Sequence, residues 1–282
     1  MSATVLLTGA TGFVGTQILD ALIELKCSVR VVTRQNHHDL ANKAGIESVC
    51  VTSDMFSEDQ EWWSATLQNI HTVIHAAWYV EPGMYLQSPE NVHCLEGSLA
   101  LARAALKAGV SKFVGLGTCF EYDVERGTLD TSTPLNPDTL YAATKAATYL
   151  TLSNWLAQTN TDFVWCRLFY LYGDGEDKRR FVAYLHDRLK SGEVAKLTTG
   201  TQIRDFMDVR DAGKQIAHVA LSNQNGPVNI CSGKGISIKD LAIGIAKEYG
   251  RVDLLAFGER PDNLQDPEKI IGVPNIQLCL GS

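Results

Sequence analysis

Thr4-Val-Leu-Leu-Thr-Gly-Ala-Thr-Gly-Phe-Val-Gly15 is the stretch whose reading decides the fold. A run of β-forming apolar residues enters a loop with glycines at 9, 12 and 15, and the pattern after it predicts an amphipathic helix from about Phe13 to Leu25. Strand, glycine loop and helix in that order are the context in which such glycines hold a dinucleotide. The turn needs unusual backbone dihedrals, the backbone must approach a pyrophosphate closely, and the helix must sit tight on its strand. The anion then meets unpaired N–H groups and the positive end of the helix dipole. Gly9, Thr11, Gly12, Phe13, Val14 and Gly15 are therefore the candidate cofactor contacts. The competing reading is a tight structural turn that uses glycine for its backbone alone.

Working outward, Ser28–Val32 is a second short strand, ending in Thr33-Arg34-Gln35. An acidic residue at that point would hold a ribose 2′-OH, whereas an arginine accommodates a 2′-phosphate. Arg34 is present and no acid follows the strand until Asp39, which favours NADP(H) over NAD(H); the alternative is an ordinary solvated arginine. Further strands are predicted at 48–51, 72–77, 112–116 and 163–167, with helices at about 90–108 and 141–157. His75, inside the fourth strand, reads as a satisfied core residue. This alternation argues for an α/β fold with a doubly wound parallel sheet. After residue 168 the regularity breaks. The expected division is 1–168 as the dinucleotide-binding domain, completed by about 205–231, with 169–204 and 232–282 forming a smaller α/β lobe for the substrate.

Composition excludes several other classes. Net charge is −7, and the one basic cluster is Lys178-Arg179-Arg180, so no nucleic-acid partner is expected. No apolar run approaches the roughly 20 residues that span a bilayer, and no leader precedes the first strand, so a cytoplasmic location with no membrane partner is expected. Seven cysteines (27, 50, 94, 119, 166, 231, 279) lack paired spacing and read as reduced, mostly buried thiols. The seven histidines, including the adjacent His37-His38, show no ligand spacing, and no metal is expected.

Tyr141-Ala-Ala-Thr-Lys145 carries the chemistry. On a helix, positions i and i+4 share a face. The ammonium is expected to favour phenolate and draw the Tyr141 pKa down from about 10, so that the phenol exchanges a proton with an alkoxide or hydroxyl. A surface pair is the common alternative. Thr118 strengthens the reading, because it ends a neighbouring strand at the sheet's carboxyl edge, where ligands bind.

The glycine loop, Gly117-Thr118 and Tyr-x-x-x-Lys together resemble the short-chain dehydrogenase/reductase superfamily, in particular its extended branch of nucleotide-sugar epimerases, dehydratases and 4-ketoreductases. Thr8–Gly15 resembles that branch's cofactor loop on a Rossmann sheet. Asp54-Met55 matches the pair meeting adenine, and His75-Ala76-Ala77 the strand lining the cofactor. Arg167–Gly173 matches the entry to the substrate lobe. Arg204-Asp-Phe206 and Arg260-Pro-Asp262 match elements whose arginines meet the sugar-nucleotide diphosphate. The resemblance implies that Tyr141 is the general acid/base, that Lys145 holds the nicotinamide ribose, and that Thr118 binds the reacting oxygen. Cys119, Phe120, Tyr170 and Arg179 join Arg204 and Arg260 as expected substrate contacts. It also implies a homodimer through the helices at 90–108 and 141–157.

Departures from the family pattern narrow the reaction. Sugar 4,6-dehydratases carry an acid pair directly after the threonine; this chain has Cys119-Phe120, and Glu121, one residue on, is expected to point elsewhere. Tyr170 stands where relatives have Asn, and Cys94 where they have another Asn, with Asn91 one turn earlier. The expectation is an NAD(P)H-dependent 4-ketoreductase of a nucleotide-linked 4-keto-6-deoxyhexose, with NADPH favoured. The alternatives are a 4-epimerase with tightly bound NAD and a non-catalytic cofactor sensor.

Overall fold

The computed structural model describes residues 4–35, 38–263 and 266–276. Cys279 and His37 lie outside the described residues, as does the His38 side chain. The central sheet has seven strands, all parallel: β1 (Thr4–Thr8), β2 (Ser28–Thr33), β3 (Ile46–Val51), β4 (Thr72–His75), β5 (Lys112–Thr118), β7 (Asp162–Leu168) and β11 (Gly226–Ile230). Their order is β11-β7-β5-β4-β1-β2-β3. Chain direction across the sheet reverses between β1 and β4, so the crevice for a ligand opens at the carboxyl ends of these two strands. β1, β4 and β5 are buried along nearly their whole length, as parallel strands covered on both faces must be.

Helices cover both faces. α1 (Phe13–Glu24) and α7 (Val209–Leu221) bury one face with Val5, Leu7, Val114 and Val228. α3 (Gln60–Thr66), α4 (Glu90–Lys107) and α5 (Leu140–Leu156) bury the other around Trp63, Phe113 and Trp165. A short α2 (His38–Ala41) precedes β3. The predicted long helices and central strands appear with ends shifted by at most two residues. Two close approaches fix how the helices sit: a Cβ on Gly213 of α7 would lie 2.6 Å from the Gln17 carbonyl carbon of α1, and one on Gly97 of α4 would lie 2.5 Å from Phe56 Cα.

A second sheet forms around one strand that the sequence pattern marks, at 203–208, and otherwise from pieces too short to read in sequence. β6 (Thr128–Leu129), β8 (Tyr170–Tyr172), β10 (Ile203–Asp208), β12 (Gly235–Ser237) and β14 (Lys269–Gly272) pair around β10 in the order β12-β10-β14-β6, with β8 on β10. β9 (Ala195–Leu197) pairs with β13 (Leu255–Phe257), and α6 (Phe181–Ser191) and α8 (Ile238–Glu248) pack beside them on Leu185, Leu197 and Ile245. The Asp205 carboxylate, fully buried, ties this lobe together: it accepts the N–H groups of Ser232 (2.8 Å), Gly233 (2.9 Å) and Gly272 (3.2 Å). Among the described residues no helix is long and apolar enough to cross a membrane, and no cluster of potential metal ligands occurs.

Candidate active site

The glycine loop closes on the end of β4. Gly9 has φ +72°, and a Cβ on it would lie 2.8 Å from Ala77 N. A Cβ on Gly15 would lie 1.9 Å from the Gly9 carbonyl oxygen. Gly12 caps α1 with no side-chain hydrogen bond, so no side chain competes for the first-turn N–H groups. These residues fit a pyrophosphate: open donors at a helix start, with backbone on both sides held close. A cleft of about 150 Å³ at this point is lined by Thr11, Gly12, Phe13, Thr16, Gln17, Asp174 and Gly175. A larger cavity, about 820 Å³, lies between α1 and α7, and none of the candidate catalytic or cofactor residues lines it.

Thr8 and His75 hold the crevice floor. The Thr8 Oγ1 accepts the Ala77 N–H at 3.2 Å and lies 2.9 Å from His75 Nδ1, while His75 Nε2 lies 2.8 Å from Ser98 Oγ. The Ser98 hydroxyl donates to the Cys94 carbonyl, so the consistent assignment has His75 donating from Nε2 and accepting at Nδ1. Burial, with Lys145 nearby, pushes His75 down to about 3. It is a neutral core residue, as its sequence context indicated.

Asp54 and Arg34, expected at the adenine end of a dinucleotide, follow the carboxyl ends of β3 and β2. The Asp54 carboxylate accepts the Phe56 N–H (3.0 Å), the Ser57 hydroxyl (2.6 Å) and His93 Nε2 (2.7 Å). Burial raises its pKa, but these bonds outweigh it and hold the group below the usual carboxylate range. Met55 is buried in the core under α3, and Arg34 is exposed just past β2.

Around β5 the predicted catalytic groups come together. Thr139 caps α5 by accepting the Ala142 N–H at 3.2 Å, which places Tyr141 in the first turn and Lys145 in the second. Lys145 Nζ donates to the Leu116 carbonyl at 2.6 Å and lies 3.7 Å from the centre of the Trp78 ring. Burial lowers it to about 7, against the opposing pull of Glu121 and Cys94. The Tyr141 ring packs edge-on against Tyr85 at 4.9 Å. Its phenol is not lowered as the Tyr-x-x-x-Lys pattern predicted. Burial, followed by Tyr85, Glu121 and Cys119, pushes it up, while a hydrogen bond with Thr118 pulls the other way. The expectation fails because desolvation of a phenolate dominates, while the Lys145 ammonium is engaged by the Leu116 carbonyl and the Trp78 face.

Of the expected substrate contacts, some converge and others do not. Cys119 is buried, and burial pushes its thiol up to about 12. Phe120 meets Tyr170 at 6.1 Å, and Arg204 lies 5.6 Å over the Tyr170 ring while its Nη2 approaches Asp266 Oδ2 at 2.7 Å. Arg260 lies outside this group, stacked 4.8 Å over Tyr184. Arg179 also lies outside it: it pairs with Asp177 (2.7 Å) and reaches Glu81 (2.9 Å), which strings the 173–180 loop across to the segment after β4. Glu121 points away from the cleft into an ion pair with Arg167 at 2.8 Å.

Sequence reasoning missed Trp78 and Tyr85, and marked Asn91 without giving it a role. Asn91 Oδ1 accepts the Trp78 Nε1–H at 2.8 Å, and its Nδ2 donates to the carbonyls of Tyr85 (2.6 Å) and Ser88 (2.9 Å). One buried amide thus holds both aromatic walls of the Tyr141–Lys145 pair. The only sequence signal was the change from Asn to Cys at 94, with Asn91 a turn before it.

A dinucleotide loop at a switch point, with a tyrosine and lysine one turn apart on α5 beside the end of β5, places the protein among extended short-chain dehydrogenases/reductases. The chain belongs to the NAD dependent epimerase/dehydratase family, whose model matches residues 5–231, and it is an oxidoreductase-type enzyme. It is 25% identical over 245 residues to a dTDP-6-deoxy-L-talose 4-dehydrogenase (NAD(+)) of Aggregatibacter actinomycetemcomitans, covering 83% of this chain and 86% of that one. It is 26% identical over 274 residues to a CDP-abequose synthase of Salmonella typhimurium, covering 92% and 86%. The fold matches a UDP-N-acetylglucosamine 4-epimerase of Methanobrevibacter ruminantium, solved with UDP-N-acetylmuramic acid, at TM-score 0.84 and 23% identity over 97% and 90% of the two chains.

Proposed function

We propose that the protein is an NADPH-dependent 4-ketoreductase acting on a nucleotide-diphosphate-linked 4-keto-6-deoxyhexose. The observation that carries this reading is the pair after Thr118. Cys119 is buried with its thiol held at about 12, and Phe120 has no proton to exchange, so neither supplies the acid and base that dehydration needs. What remains beside the cleft is Thr118, Tyr141 and Lys145, a set suited to redox change at one carbon. Two relatives fit such a substrate by name, a 4-dehydrogenase of a dTDP-6-deoxy sugar and a CDP-abequose synthase.

Gly9, Thr11, Gly12, Phe13, Val14 and Gly15 would hold the dinucleotide pyrophosphate, Ala76 and Ala77 would line it, Asp54 with Met55 would bound the adenine, and Arg34 would meet a 2′-phosphate. When bound, the dinucleotide supplies the hydride. Thr118 orients the carbonyl oxygen, and Tyr141 gives that oxygen its proton. In the reductive direction Tyr141 acts as an acid, and burial keeps its phenol in the protonated form that this step consumes. Lys145, pinned between the Leu116 carbonyl and the Trp78 face, holds the ribose and bears the positive charge of the site. On the lobe side, residues 169–204 and 232–282 would receive the nucleotide sugar: Cys119, Phe120 and Tyr170 would bound the sugar and Arg204 would address the diphosphate, with Arg260 and Arg179 outside that group. Exposed Val92 of α4 and Leu150 of α5 suit a homodimer through these helices.

The test is turnover. Wild type should oxidise NADPH with nucleotide-linked 4-keto-6-deoxyhexoses, and Tyr141→Phe should lose about 10²–10⁴-fold in kcat while binding NADPH normally. Equal turnover by both would end the assignment. Arg34→Ala should weaken NADPH relative to NADH; an unchanged ratio would remove the cofactor preference.

One observation favours the 4-epimerase instead. The 173–180 loop lies over the glycine loop, with Arg180 5.8 Å over the Phe13 ring and Arg179 latched to Glu81, which suits a cofactor retained between turnovers. Protein that purifies with stoichiometric NAD and interconverts C4 epimers without added cofactor would establish that reading.

A further inference from the structure

Beneath the strand end that carries Thr118 lies a charge that the chemistry above leaves unused. A 3-10 turn (Cys119–Glu121) folds Glu121 back under β5, where the Thr118 hydroxyl and the Glu121 carboxylate cap each other's backbone. Glu121 Oε1 accepts the Thr118 N–H at 2.8 Å. The Trp165 Nε1–H lies 2.9 and 3.0 Å from the two carboxylate oxygens, and Arg167 Nε donates to Oε2 at 2.8 Å. The side chains of Glu121 and Arg167 are 0% and 1% exposed. Arg167 is itself held between the rings of Tyr122 (4.5 Å) and Tyr149 (4.4 Å).

The seat for this carboxylate is cut into the strand. A Cβ on Gly117 would lie 2.2 Å from both Glu121 Oε1 and Trp165 Nε1, and one on Gly115 would lie 2.4 Å from the Trp165 ring. Two glycines in β5 thus admit a tryptophan and a carboxylate under the residues that face the cleft. A buried ion pair is in general weak evidence for stability, since apolar replacements of equal volume are often as good. Its location is what distinguishes this one.

We propose that Glu121 is a positioning residue of the reaction: it clamps the Thr118 peptide so that the hydroxyl faces Tyr141, and its fixed charge, anchored by Arg167, is the counter-charge of Lys145. This rests on the reading of Thr118, Tyr141 and Lys145 as the reacting groups. The groups facing Lys145 are Cys94 of α4, His75 of β4, the Leu116 carbonyl, the Trp78 ring and, 5.9 Å away, the ring of Trp165, whose Nε1–H meets the Glu121 carboxylate at 2.9 Å. Those facing Glu121 are Arg167, Trp165, Tyr122, Cys119 and Tyr141. Glu121 pulls Lys145 upward against the burial that holds it at about 7, so losing the charge lets Lys145 fall further and deprotonate at working pH.

Lysine labelled with ¹³C at the ε carbon reads this directly in ligand-free protein, with Lys145→Met assigning the signal. Glu121→Gln alone leaves Arg167 unpaired and is expected to fold poorly, so the informative variant is Glu121→Gln with Arg167→Met, which removes both charges. Its Lys145 midpoint should fall by about half a pH unit or more; an unmoved midpoint in the folded double variant overturns the counter-charge. Glu121→Asp keeps the charge but withdraws it by one methylene from the Thr118 N–H. It should leave the Lys145 midpoint near wild type, lower kcat about tenfold and leave the NADPH KM unchanged; wild-type kcat would overturn the clamp. The titration needs no substrate, so it can fail while the ketoreductase reading stands. Loss of that reading, through Tyr141→Phe, would leave the titration untouched.

Discussion

The two walls of the cleft are made by different forces. On the dinucleotide side the constraints are steric: Gly9 and Gly15 sit where a Cβ would enter backbone, at 2.8 and 1.9 Å. On the lobe side they are electrostatic and aromatic: Arg204 on Tyr170 and Asp266, Arg260 on Tyr184, Arg179 on Asp177 and Glu81. Backbone contacts permit almost no substitution, because closely packed atoms cannot relax far. Exposed charges such as Arg179 and Arg260 can be exchanged at little cost to folding, whereas Arg204 is buried, so specificity can be retuned at the rim of that side while the cofactor seat stays fixed.

The sharpest way to break this contrast is Gly15→Ala. The added methyl overlaps the Gly9 carbonyl, and a loss of about 3 kcal/mol in stability together with loss of dinucleotide binding is expected, measured by denaturant unfolding and nicotinamide fluorescence. A variant that binds normally would show that the loop is less tightly set than its geometry indicates.

Lys145 lies between the two walls and gives an effect of opposite sign. The native lysine loses its proton near pH 7 and the unfolded one near 10.5. Between these values the unfolded chain binds more protons, so this group's contribution to stability rises with pH; below 7 the native state carries the full burden of a buried ammonium. Lys145→Met should therefore abolish turnover yet raise Tm, by about 2 °C or more at pH 6 and by less at pH 9. A larger gain at pH 9 would show that the lysine is not desolvated as described.

Changes on the lobe side should be gentler. Arg204→Ala is expected to raise the KM for the nucleotide sugar about 10- to 100-fold while leaving NADPH binding alone, as steady-state kinetics with each substrate varied would show. Arg179→Ala should leave Tm unchanged and raise the rate of dinucleotide release by no more than about threefold, measured by stopped-flow fluorescence. A much larger change would make the 173–180 loop a gate and strengthen the epimerase alternative.

Legibility followed the same divide. Alternating strands and helices up to residue 168 announced the parallel sheet, because each element carries its own periodicity. Apart from β10, the lobe sheet was not readable: β6 and β14 are two and four residues long, and Thr128 finds its partner at Ile271, far along the chain. Such pieces are strands only because a distant partner completes them. The reading of Glu121 as turned away from the cleft was correct, but its destination under Gly117 required the positions of Trp165 and Arg167. The direction of the Tyr141 shift was misread for a related reason. Helical spacing reports that a phenol and an ammonium are neighbours; it does not report that both are buried.

The sequence by itself determined the sheet, the glycine seat and the Thr118, Tyr141 and Lys145 set, since each depends on residue type and short spacing. Only the tertiary structure decided which arginines share a site, which aromatic walls enclose Lys145, and which carboxylate lies behind Thr118. Charge and solvent access are sums over all surrounding groups, and those groups come from β4, α4, β7 and the lobe, brought together by folding and not by proximity along the chain.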